Sequence, residues 1–135
     1  MSWDVLILNT QECVRNIADL ESDRRLQPLC LDLAALHERI LEVFPQTNWS
    51  DPEWGHVTTD HGSIEFNVGS ETPPTDMMLH VRAAPPIVSD ILRLSTLNGW
   101  EAFDCSNGER LDDHASAAPS IEASNRYVAQ VLGKD

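Results

Sequence analysis

With 135 residues, 41% of them hydrophobic, the chain has the length of one domain and enough apolar material for a core of its own. Twenty-two acidic residues outweigh nine basic ones, giving a formal charge of −13, and Lys134 is the lone lysine. Arg24-Arg25, the only adjacent basic pair, is too little to follow a phosphate backbone, so nucleic acid is not an expected partner and a protein with a basic surface fits the field better.

In chain order, Trp3 to Leu8 is a short apolar run closed by Asn9-Thr10 and reads as a buried strand. Residues 10 to 28 are polar, anchored by Val14, Ile17, Leu20 and Leu26, and suit either a loop or a short surface helix. Leu33, Leu36, Ile40 and Val43 recur at helical spacing, predicting a helix that Pro45 ends just after Phe44. Trp49-Ser-Asp-Pro-Glu-Trp-Gly55 combines the capping residues Ser50 and Asp51 with Pro52 and a terminal glycine, which predicts a compact, rigid turn. Its two tryptophans either close one end of the core or anchor a partner.

The β-branched stretch His56-Val-Thr-Thr59 is joined through Asp60-His61-Gly62 to Ser63–Val68, where Ile64, Phe66 and Val68 alternate with Ser63, Glu65 and Asn67. Beyond the turn formers Gly69 to Pro74, Met77, Leu79 and Val81 alternate with Met78, His80 and Arg82. The pattern predicts a three-stranded antiparallel meander with one face in the core and the other wet. Pro85-Pro86 opens a second helix with Ile87, Ile91 and Leu94 on one face, beside Val88 and Ser95, and Asn98-Gly99 stops it. Trp100 to Cys105 is a further strand with apolar groups on both faces, followed by a Ser106-Asn107-Gly108 turn. Residues 111 to 120 are small and polar and are expected to be mobile, and residues 121 to 133 are expected to form a terminal helix.

These elements predict a single α+β domain over residues 1–135, an antiparallel sheet of about five strands with two or three helices packed on one face. The Ile64, Phe66 and Leu79 side faces the helices, which leaves Glu65, Asn67, His80 and Arg82 together on an open face.

No motif in the chain carries a chemical activity. His56, Asp60, His61 and His80 match no metal-ligand spacing, and Cys13, Cys30 and Cys105 lack a CxxC pair, so neither metal nor cofactor is expected. No serine sits in G-x-S-x-G, and GxxxxGK[ST] and GxGxxG are both missing. Acidic pairs such as Asp112-Asp113 follow from the composition. The expectation is a protein that is not an enzyme. No apolar run approaches the ~20 residues of a membrane span, and Met-Ser-Trp-Asp does not open a signal peptide, so no membrane partner and a cytoplasmic location are expected.

The blocks MSWD, WSDPEWG, SIEFNVG, MLHVRA and GWEAFDCSNGE resemble those of a group of short bacterial proteins, in the same order, over residues 1 to 110. That resemblance brings no catalytic residues with it. In size, acidity and poverty of motifs the chain is also similar to the immunity proteins encoded beside polymorphic or type VI secretion toxins, which neutralise a cognate effector by binding it. The similarity implies a toxin inhibitor whose acidic surface meets a basic one. The residues expected at the interface are Trp49, Asp51, Glu53 and Trp54 of the turn and Glu65, Asn67, His80 and Arg82 of the open face. Two alternatives stand beside it: a small ligand-binding or enzymatic domain working at Glu65, His80 and Arg82, and a homo-oligomeric structural protein pairing through an exposed edge strand.

Overall fold

The computed structural model describes residues 2–10, 15–19 and 27–111. The expected mobile stretch and terminal helix beyond Leu111, together with Cys13 and Arg24-Arg25, lie outside the described residues. The elements are β1 (Trp3–Leu8), a single 3-10 turn (Ile17–Asp19), α1 (Leu33–Val43), β2 (Asn48–Asp51), β3 (Trp54–Thr59), β4 (Gly62–Asn67), β5 (Asp76–Ala83), α2 (Ile87–Asn98) and β6 (Glu101–Asp104). All six strands form one sheet in the order β2-β3-β4-β5-β1-β6, every neighbouring pair antiparallel. The fold is α+β.

Local chemistry sets the helix ends. The Asp32 carboxylate accepts from Ala35 N at 2.8 Å and caps α1, and the Phe44 N–H closes on Ile40 O at 2.8 Å before Pro45 stops the chain. Helix α2 ends on Gly99, whose φ of 69° is the left-handed conformation a glycine adopts without a Cβ penalty. Because β1 lies between β5 and β6 and is antiparallel to both, β5 and β6 run parallel, and α2 supplies the crossover that such a pair needs.

Both helices lie on the predicted side. Leu36 and Ile40 of α1 and Ile87, Ile91 and Leu94 of α2 share one buried cluster with Val5, Ile7, Ile64, Phe66, Met77, Leu79 and Val81. The rings of Phe44 and Phe66 meet at 5.5 Å. Glu65, Asn67 and His80 are half-buried and Arg82 is exposed on the other face, so the register of β4 and β5 is the one that alternation predicts.

Two expectations are corrected. Residues 49 to 55 are not one compact turn but the core of a hairpin: β2 and β3 pair Asn48 with His56 and Asp51 with Trp54, and only Pro52-Glu53 reverses the chain. Asn48, Ser50 and Asp51 are exposed, so β2 never shows the alternation that announces a half-buried strand. The face opposite the helices is also not open throughout. Phe103 and Leu8 stand on that side and are buried. The outer edge of β6 is occupied as well: Asp104 N and Leu111 N bond Glu109 O and Ala102 O, each at 2.8 Å, and Arg110 N bonds Arg15 O in turn.

Candidate functional site

The face turned away from the helices is organised in rows by the strand register. One row runs His56, Glu65, His80, Asp4 across β3, β4, β5 and β1. Cross-strand neighbours on one face stand close enough to interact, and here imidazoles alternate with carboxylates. His80 Nδ1 is 2.9 Å from Asp4 Oδ1, and the Ser2 hydroxyl donates to the same oxygen at 2.6 Å. Arg82 reaches diagonally to Glu65, with Nη1 to Oε1 at 3.4 Å. The middle of the face therefore satisfies its carboxylates with hydrogen bonds from within the sheet, and Arg82 sets a positive charge against Glu65.

Ser2, Asp4 and His80 are not arranged in the order hydroxyl, imidazole, carboxylate: the Ser2 hydroxyl and the His80 ring both meet Asp4 Oδ1 rather than each other. Among the described residues no three His, Cys, Asp or Glu side chains are grouped to hold a metal ion, and no helix is long and apolar enough to cross a membrane.

The next row holds Trp54, Asn67, Met78 and Leu6. Trp54 is 43% exposed and lies nearly parallel to the His80 imidazole, with ring centroids 5.9 Å apart and 18° between the planes. A large apolar ring left this open on a polar face is a common element of protein-binding surfaces. Beyond this row the Asp51–Trp54 reversal and the loop from Gly69 to Asp76 border an open groove of about 530 Å³. Leu6, Met78 and Asn67 line it together with three acids, Glu53, Glu71 and Asp76. Its borders are tied down: Asp51 Oδ1 accepts from Glu53 N at 3.0 Å, Val68 N donates to Glu53 O at 3.0 Å, and Leu29 N donates to Pro74 O at 2.7 Å.

The structure thus brings together Glu53, Trp54, Glu65, Asn67, His80 and Arg82, and leaves two of the expected residues apart. Trp49 is on the helix side, stacked on His37 at 3.9 Å and packed against the core near Phe66. Asp51 is exposed but is engaged in holding the reversal. Sequence reasoning missed Asp4, Leu6, Glu71 and Asp76. Asp4 and Leu6 join the face only because β1 pairs with β5, a contact 76 residues apart along the chain for Asp4 and His80. Glu71 lies in a stretch legible only as a turn, with Asp76 at its end.

No family model, curated protein or solved structure matches this chain. The function is accordingly argued from the site.

Proposed function

We propose that the protein is a binding protein of the immunity type, a cytoplasmic inhibitor that neutralises a cognate bacterial toxin by meeting its basic surface with an acidic one. The observation that carries this reading is the exposed Trp54, set on a sheet face beside a groove whose ionisable lining, among the described residues, is acidic. An aromatic anchor on a fixed platform provides contact area at little ordering cost, and the charge of −13 favours encounter with a cationic partner.

Pairing through an edge strand is the less supported alternative. Strand β2 has four residues, a break in its register, and a backbone N–H at Ser50 already taken by the Asn48 side chain at 2.7 Å. Short, irregular edges of this kind discourage strand addition. A ligand-binding or enzymatic role at Glu65, His80 and Arg82 draws support from the Ser2–Asp4–His80 chain, but the hydroxyl there is turned toward the acid.

The test is neutralisation. Candidate bacterial toxin domains with basic surfaces are each expressed in a bacterial host with and without the protein, and growth is followed. Rescue together with micromolar or tighter binding of the purified pair is the expected result. Raising salt from ~0.05 to ~0.5 M should slow association clearly, since the Debye length falls about threefold, while dissociation changes less. No rescue and no binding overturns the reading.

A further inference from the structure

The negative charge of the open face is distributed unevenly. Glu65 faces the Arg82 guanidinium, and Asp4 is hydrogen-bonded by Ser2 and His80. Glu53, Glu71 and Asp76 are exposed at the groove, and none has a cationic partner among the described residues. Among the described residues no Lys, Arg or His lines the groove. We propose that this groove is the seat of a basic segment of the partner protein, with one arginine side chain laid along Leu6 and Met78 and its guanidinium among Glu53, Glu71 and Asp76. The proposal rests on the reading of the protein as a toxin-binding inhibitor and assigns that role a definite site.

The groove suits this occupant on three counts. Leu6 and Met78 are cross-strand partners, both half-buried, and give an aliphatic stem an apolar surface to lie on. Asn67, the register partner of Met78 on β4, adds an amide oxygen to the acceptors. Several separate acceptors around one site match the five N–H donors of a planar, weakly hydrated guanidinium better than the compact, strongly hydrated ammonium of lysine. Charge complementarity selects the partner further. A second copy of this chain brings −13 to a surface that is already negative, whereas a basic protein brings charge of the opposite sign to the acids of the groove. Hydrogen bonds fix the border at Glu53, Val68 and Pro74, which lowers the ordering needed there on binding.

The probe is the peptide acetyl-Gly-Arg-Gly-amide, titrated into the ¹⁵N-labelled full chain at low salt, with lysine and neutral citrulline versions alongside. The arginine peptide should move the amides of Asn67, Gly69, Glu71, Asp76 and Met78, the lysine peptide should bind more weakly, and the citrulline peptide should leave them in place. Combining Glu53→Gln, Glu71→Gln and Asp76→Asn should weaken the arginine peptide by about tenfold, the scale of a few exposed ion pairs. As a control, Asp60→Asn with Asp90→Asn removes acids from a cleft between the ends of α1 and β3 and should change binding by less than about twofold. Unmoved groove amides, or equal weakening by the control, overturn the site, because attraction then belongs to the whole acidic surface. Equal binding of the lysine peptide overturns the choice of arginine. If the triple variant still rescues a toxin-expressing host in full, the groove is wrong and the inhibitor reading stands. Arginine binding in the groove without any rescue by the unmodified protein overturns the inhibitor reading instead.

Discussion

The Trp49 indole lies directly over Gly55: a Cβ built on Gly55 would stand 2.6 Å from Cη2 of that ring. The strand residue at this point has no side chain because the tryptophan of the neighbouring strand takes its place, packed between His37 and the core. The glycine leaves room for Trp49 on the helix side, while Trp54, one residue earlier on β3, alternates to the open face.

Gly55→Ala should therefore destabilise the fold by about 1 to 3 kcal/mol, the range for overpacking a filled site. Urea unfolding of Gly55→Ala, Trp49→Ala and the double variant forms a cycle that isolates the contact. The double variant should be less destabilised than the sum of the singles, and strict additivity contradicts the contact.

Phe66 is fully buried between the sheet and the Phe44 ring, so Phe66→Ala should cost about 3 to 5 kcal/mol through lost burial and the cavity left behind. Leu31 is 88% exposed, and Leu31→Ala should stay within about 0.5 kcal/mol of the parent. Thermal or denaturant melts of the pair compare the two sites, and similar losses speak against the assigned core.

Trp54→Ala separates anchor from core. Trp54 is 43% exposed and stacked on the His80 ring, so its removal should cost clearly less stability than the about 3 to 5 kcal/mol of a fully buried aromatic. As a central aromatic contact with a partner it should cost about 2 kcal/mol or more in binding, read by calorimetry as a loss of at least ~30-fold in Kd. A large drop in melting temperature with unchanged affinity places it in the wrong role.

Cys105 is exposed at the end of β6, 3.6 Å from the Met78 sulfur, yet its thiol pKa is pushed up by partial burial and by the nearby carboxylates of Asp4 and Asp104. Both causes disfavour the thiolate, which is the reactive form. Alkylation by iodoacetamide should be slower at neutral pH than that of a free cysteine peptide, and its rate should rise to higher pH before levelling. Asp4→Asn should speed the reaction at neutral pH. A rate equal to that of the free peptide contradicts the assigned environment.

The chain's local patterns determined which segments are helix and strand and which side chains face inward. Alternation in β4 and β5, the spacing of Leu33, Leu36, Ile40 and Val43, and the stops at Pro45 and Gly99 are all local signals, and each is met in the structure. Polar β2 carried no such signal, since an exposed edge strand has no apolar stripe to display. The open face with Glu65, Asn67, His80 and Arg82 was legible for the same reason as the core, because a period of two assigns both sides at once. What only the tertiary structure decided is which strands become neighbours. The insertion of β1 between β5 and β6 brings Asp4 to His80 and Leu6 to Met78, and the hairpin of β2 and β3 sends Trp49 and Trp54 to opposite faces. Pairings between distant segments depend on how the whole sheet buries its apolar side, and a local pattern in one segment does not name its neighbour. Leu6 reaches the groove of Glu53, Glu71 and Asp76 only through the long-range pairing of β1 with β5.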